Sequence, residues 1–399
     1  MTDLATHEAP ARSEALRRAA PALLGYAAVR ALGLLTLALW SAARDKDAYT
    51  LLTARWDALW YTRVAELGYG YEVRLPNGDV HSNLAFFPLL PWLERLVAEV
   101  SPLSYADGGF VVGLLASFAA AWGIFAVAEH VYGRRVGVCA VLLWAVLPVG
   151  IVQSMAYSES LFTALAAWSL YAVLTGRWIT AGTLALLAGL TRPVGLAVVA
   201  AVWAAGIASF VSFVRNRRAG APLGAEDAKH ASGVPARQVL AMLLAPLGAA
   251  GYVLWVGHRT GKGPLGYLDV QAGWRNGFDG GYAFARFVAE KFTSFPSALA
   301  GAGLIVGVGL VIWLYVVCVR QRQPLPLLVY AGVVTALALC ASSYFGSKPR
   351  LLLPAFPLLL PLARSLARPR TRRSALVVAS VAVASALYGA FWLNGSGPP

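Results

Sequence analysis

Apolar residues in this chain gather in long unbroken blocks, not in the alternating or three-four spacing of soluble strands and helices. The first block, residues 21–42, reads PALLGYAAVRALGLLTLALWSA. Ten more follow at 109–128, 136–152, 161–174, 179–190, 194–214, 239–256, 298–319, 325–344, 351–366 and 376–392. Runs of about 18–25 apolar residues match the hydrocarbon thickness of a bilayer. The pattern predicts an all-α, polytopic transmembrane helical bundle of about 9–11 spans. Two blocks are weak as separate spans. The 179–190 block is short, and 351–366 is interrupted by Pro354, Pro357 and Pro361. Broken segments of this kind need protein or a cavity around the backbone, because lipid cannot satisfy it. Ser41-Ala42-Ala43 resembles a signal cleavage site, but a signal core runs only about 7–15 residues, so 21–42 is read as a retained helix. Arg30 inside it is expected to face other helices.

The polar stretches define the rest of the layout. A tail at 1–20 precedes one membrane domain over 21–399, with outer loops at 43–108 and 258–296. A third polar stretch, 215–238, is rich in Ala, Gly and Pro and is expected to be a flexible cytoplasmic loop. The first outer loop is not linker-like. RWDALWYTRVAELGYG places Trp60, Val64 and Leu67 at helical spacing, with Asp57 where a cap would sit and Gly68 and Gly70 at the stop. It predicts a short helix along the membrane surface, with Trp and Tyr at headgroup depth. LPNGD, 75–79, is a hairpin turn. NLAFFPLLPWLERL, 83–96, enters a second short helix, interfacial or re-entrant.

The composition, 58% hydrophobic and 13% charged, excludes an ordinary soluble domain. Its +14 net charge is topological. With the N-terminus cytoplasmic, 18 of the 33 Lys and Arg lie inside, 14 outside and one, Arg30, within the first helix, while the 19 acids divide 6 inside and 13 outside. Basic loops stay in the cytoplasm and face anionic lipid. No folded basic module is present to bind nucleic acid. Cys139, Cys318 and Cys340 fall in apolar runs and imply no disulfide framework. The five His residues show no ligand spacing, so no metal site is expected from them.

Candidate chemistry lies on the outer face. Asp57 stands at the bilayer boundary between Trp56 and Trp60, beside Arg55. Apolar surroundings raise a carboxylate's pKa and an adjacent Arg lowers it, and a carboxylate tuned this way can deprotonate a hydroxyl. From position alone, a helix cap is the stronger account of Asp57. Arg350, with Lys348, sits at the outer end of the proline-broken segment, where a guanidinium fits a phosphate or simply anchors at the interface. Asp45 and Asp47 form a D-x-D after the first helix and are the second choice for a base; a divalent ion is compatible with that pair but not indicated. Glu159 in AYSESLF complements a helix N-terminus or binds hydroxyls. Arg192 interrupts an apolar region beside Pro193, a costly placement that often marks function. His81 precedes the second short helix. Trp274, Arg275 and Asn276 could touch a sugar or headgroup, although a mobile loop is the preferred account of that segment.

RWDALWYTRVAELGY followed by NLAFFPLLP resembles the PIG-V-like membrane mannosyltransferases of the GT-C glycosyltransferase class. AYSESLF, LTRPVGL and SKPRLLLPAFPLLLPLA agree in family order. The resemblance implies a multi-spanning enzyme that takes mannose from a polyprenyl phosphate on the outer face, with Asp57 as the base, and it tilts Glu159 toward acceptor hydroxyls. The expected reaction inverts the anomeric carbon and requires no cofactor. Expected partners are the lipid-linked donor, membrane lipids and a glycolipid, polymer or protein acceptor. Ala-, Arg- and Leu-rich usage points to a bacterial plasma membrane. The competing class is a transporter or flippase of a lipid-linked sugar. Such a protein should carry polar groups at the midplane and repeated halves, and the polar residues here gather at the outer boundary.

Overall fold

The computed structural model describes residues 12–218, 234–342 and 344–397. Its helices, in chain order, are α1 (Arg12–Ala42), α2 (Ala48–Thr53), α3 (Asp57–Leu67), α4 (Leu89–Val100), α5 (Tyr105–Tyr132), α6 (Arg134–Ala145), α7 (Ser158–Leu174), α8 (Trp178–Gly189), α9 (Leu196–Arg218), α10 (Val234–Leu244), α11 (Leu247–Thr260), α12 (Gly266–Gly273), α13 (Tyr282–Glu290), α14 (Ser297–Arg320), α15 (Leu325–Cys340), α16 (Lys348–Leu351), α17 (Leu360–Ala367) and α18 (Thr371–Leu393). Two small ribbons complete it: β1 (Glu72–Arg74) with β2 (Val80–Ser82), and β3 (Gly277–Phe278) with β4 (Ala341–Ser342), both antiparallel.

The protein is a multi-pass, all-helical membrane protein. Among the described residues, six helices are long and apolar enough to cross a bilayer: Glu14–Ala42, Tyr105–Tyr132, Pro193–Arg215, Ala236–Thr260, Ser297–Arg320 and Thr371–Leu393. The bent pair Phe345–Leu351 and Phe356–Ala367, apolar enough together but turning by 74° where the prolines cluster, forms a broken span or a re-entrant loop. Shorter apolar helices, Ser158–Leu174, Trp178–Gly189 and Leu325–Cys340, account for three more of the apolar runs. The remaining run, 136–152, is not one helix. It ends as α6 at Ala145 and resumes as a 3-10 turn over Gly150–Ser154. Pro148 lies between them and cannot continue the helical ladder. Buried Arg30 donates to the carbonyls of Ala145 and Gly150 on either side of the break. The charge inside α1 thus satisfies backbone that the break leaves unpaired. Of the tail expected at 1–20, residues 12–20 are already helical as the start of α1, and residues 1–11 lie outside the described residues. Most of the 215–238 loop lies outside the described residues, which show α9 running to Arg218 and α10 starting at Val234.

Long α5 is central, packing against α4, α6 and α7. Its glycines allow close approach. A Cβ built on Gly113 would lie 2.6 Å from the carbonyl oxygen of Met155, so segment 150–157 rests directly on the α5 backbone and leads into α7. Segment 43–108 contains the helix, hairpin and second helix read from its pattern: α3, a hairpin turning at Gly78 (φ +88°) and α4. At the opposite end of the bundle, Arg18 pairs with Glu129 at 2.9 Å and Arg134 donates to the Arg18 carbonyl. Arg18, Glu129 and Arg134, all assigned to the inner side, thus meet at one end of the bundle.

Candidate functional site

Four charged side chains from four distant segments meet at the loop end of the bundle. Asp57 opens α3, Glu159 lies in the first turn of α7, Arg192 precedes the 3-10 turn Pro193–Gly195, and Arg350 belongs to α16. Arg350 Nη1 is 2.8 Å from Asp57 Oδ2, and its Nε is 3.2 Å from Glu159 Oε1. Arg192 Nη1 approaches the same Glu159 oxygen at 2.5 Å. Two cations and two anions therefore alternate in one chain. Arg192 also donates to Ser158 Oγ at 3.2 Å, which shares a hydrogen bond with the Tyr61 hydroxyl at 2.7 Å. The Arg350 guanidinium lies over the Tyr157 ring, 5.0 Å from its centre.

Accessibility is graded along this chain. Side-chain exposure is 1% for Glu159, 9% for Arg350, 13% for Arg192 and 26% for Asp57. Asp57 is the member that meets solvent. Glu159 is the buried countercharge that lets two arginines stand side by side, and both acids lie at helix N-termini, where the backbone favours negative charge. The Arg350 Nε and Nη1 atoms are close to their carboxylates but make no aligned hydrogen bond.

The structure changes the account of Asp57 as a cap. Asp57 is already helical; the N-cap position belongs to Trp56, which makes no side-chain cap bond. Trp56 holds φ +50°, a left-handed conformation that costs a bulky residue energy and is typically held by surrounding structure. Arg55 stacks on the Trp56 ring at 4.1 Å and has no acidic partner among the described residues. Lys348 is not drawn into the cluster. It is buried and donates to the carbonyls of Ala338 and Ala341, each at 2.7 Å, closing the end of α15. Of the D-x-D pair, Asp47 caps α2, accepting from the Thr50 amide and hydroxyl. Those bonds hold its carboxyl below the usual range. Asp45 is exposed, with φ +53°. No group of three or more His, Cys, Asp or Glu able to hold a metal occurs among the described residues.

Segment 258–296 docks onto segment 43–108, with contacts at residues for which a mobile loop was the preferred expectation. Trp274 donates its indole N–H to the Ser82 carbonyl at 3.0 Å, Arg275 pairs with Asp79 at 2.6 Å, and Asn276 donates to Gln271. His81 stacks on Trp274 with ring centres 4.0 Å apart. Burial pushes the His81 imidazole below its usual pKa against the pull of Asp79. Trp60 lies face to face with Phe86 and edge-on to Trp274. Sequence reasoning did not name Tyr61, Tyr157 or Ser158 as site residues. The only signal for Tyr157 and Ser158 was their polarity beside Glu159 inside an apolar stretch; Tyr61 lies in α3, one turn after Asp57.

No family model matches the chain, and no curated protein matches it. Solved structures of similar shape include ArnT from Cupriavidus metallidurans bound to undecaprenyl phosphate, at 14% identity and TM-score 0.48, with 93% of this chain aligned to 64% of that one. Another is the oligosaccharyltransferase AglB from Archaeoglobus fulgidus in complex with an inhibitory peptide and a dolichol-phosphate, at 11% identity and TM-score 0.45, with 94% of this chain aligned to 56% of that one. The chain thus spans less than two thirds of either neighbour's length.

Proposed function

We propose that this protein is an integral membrane glycosyltransferase of the GT-C class. It transfers a sugar, mannose on the strength of the PIG-V-like resemblance, from a polyprenyl phosphate to an acceptor hydroxyl on the extracytoplasmic face. The observation that carries this reading is the contact between Asp57 and Arg350. It puts the more exposed carboxylate of the cluster beside a buried guanidinium.

The chemistry needs little else. Asp57 accepts the proton of the acceptor hydroxyl as its oxygen bonds to the anomeric carbon. The bond from that carbon to the phosphate oxygen breaks, and the electron pair leaves on the lipid phosphate. Attack opposite the leaving group inverts the centre. Phosphate departs as an anion without a general acid, and Arg350, with Arg55 at the rim, neutralises the charge it gains. Arg192 acts at one remove, through Glu159 and Ser158. The test is sugar transfer from labelled polyprenyl-phosphate mannose by the purified protein. Asp57→Asn should slow transfer by about 10²–10⁴-fold, the usual worth of a positioned base, with little change in thermal unfolding. Full-rate transfer by that variant would remove Asp57 as the base. Movement of labelled lipid-sugar across a vesicle with no transfer would replace the enzyme by a flippase.

A further inference from the structure

Beside the charged cluster stands a wall of rings that the transfer chemistry does not use. Trp60 follows Asp57 by three residues on α3, so the two lie on neighbouring faces one turn apart. Its indole stacks on Phe86 at 5.7 Å with planes 5° apart and meets the edge of Trp274 at 4.9 Å. Trp274 in turn carries His81 on its face, with planes 10° apart. Tyr71 lies 5.7 Å from Trp60, its ring tilted by 55°. The wall is continuous with the ionic cluster, because Phe86 also packs edge-on against Tyr61, whose hydroxyl meets Ser158.

These rings are only half-buried, and their polar edges are unspent. The Trp60 indole N–H and the His81 imidazole make no hydrogen bond within the described residues, and Arg63, over the Tyr71 ring at 4.6 Å, has no acidic partner there. Tryptophans that merely seat a protein in lipid look different. Trp92 on α4 and Trp313 on α14 are 55% and 54% exposed, single and without a ring partner. The wall is instead assembled from both outer loops and fixed by the Trp274–Ser82 bond. A fixed aromatic surface loses little freedom when it is covered. Flat rings with hydrogen-bonding rims suit a pyranose, which offers one face of C–H bonds and a girdle of hydroxyls. An aliphatic alcohol or an extended peptide has no such flat face to offer.

We propose that Trp60, His81 and Trp274 form a pyranose-binding subsite for the acceptor, so that the hydroxyl activated at Asp57 belongs to a saccharide. This rests on the transferase reading for the word acceptor, but binding is measured without transfer. The experiment is saturation-transfer NMR on the full chain in a phosphocholine detergent, free of sugar headgroups, with methyl mannoside and mannotriose as probes. The ring C–H protons of both probes should receive saturation from the wild-type protein. His81→Gln and Trp274→Phe should weaken that signal about threefold or more, the worth of an aromatic contact, and Trp92→Ala should leave it unchanged. Absence of pyranose saturation in the wild type, equal signals in the wall variants, or preferential saturation of added glycerol phosphate would overturn the proposal, the last in favour of a lipid headgroup. Sugar binding without any transfer would defeat the transferase reading alone, and transfer without pyranose contact would defeat this inference alone.

Discussion

Glu159 and Glu94 are both carboxyls at the loop end of the bundle, 1% and 0% exposed, and the protein treats them in opposite ways. Glu159 lies within 3.2 Å of two guanidinium groups. Glu94, on α4, has no hydrogen-bond or ion-pair partner for its carboxyl among the described residues; Gly109 packs against that carboxyl, where a Cβ would fall 2.6 Å from Oε1. Taking an ion out of water costs several kcal/mol, which opposite charge can offset. Glu159 meets that cost with two cations. At Glu94 burial instead pushes the carboxyl well above the ordinary value of 4.5, favouring the neutral form. Burial of an acid therefore does not mark a site. What separates the two is the company of cations that would otherwise repel each other and that an incoming phosphate can share.

The comparison breaks most sharply at Glu159. Glu159→Gln leaves Arg192 and Arg350 with Asp57 as their sole anion. Breaking a buried pair by removing one partner costs about 3–5 kcal/mol, so thermal unfolding in detergent should fall steeply and transfer should go with it. Glu159→Gln combined with Arg192→Gln removes one charge of each sign and should recover part of the loss, because residues in one ion-pair network do not add independently. A Glu159→Gln protein as stable as Glu94→Gln would mean that the two acids are not differently paired at all.

A second test reaches the cluster through the backbone. Segment 150–157 positions α7, and with it Glu159, by lying against Gly113. Gly113→Ala sets a methyl against the Met155 carbonyl. Overpacking of this kind costs about 1–3 kcal/mol, less than loss of the countercharge. Transfer should fall more than stability alone explains, because the segment must shift away from α5. Unchanged transfer with lowered stability would show that the cluster does not depend on this contact.

Much of this was legible along the chain. Apolar runs of membrane length gave the helices, and Asp57, Glu159, Arg192 and Arg350 each stood out as charges at the edge of apolar sequence. Their meeting did not, since Asp57 and Arg350 are brought together only by the tertiary fold. The break after α6 was hidden in a run that stays apolar throughout. Lys348 looked equivalent to Arg350 two residues away, but it turns to the carbonyls ending α15. The docking of Trp274 on the first outer loop depends on a partner almost 200 residues distant. Nor did composition reveal Glu94, which shares the buried face of α4 with Leu90 and Pro91 while Trp92 points outward.

The smallest effect lies at Glu94 and is a matter of pH. Its carboxyl holds a proton in the folded protein to a higher pH than in the unfolded chain. Between the ordinary value of 4.5 and the raised folded value, the folded state binds more protons than the unfolded state. Stability must then fall as pH rises through that window. Below the window both forms are protonated and the penalty vanishes. Glu94→Gln keeps the shape of the neutral acid and cannot ionise. The variant and the wild type should therefore unfold at similar temperatures near pH 4, and the variant should gain on the wild type progressively toward pH 8. A difference that stays constant across that range would mean that Glu94 is ionised and compensated in the folded protein, and its contrast with Glu159 would be lost.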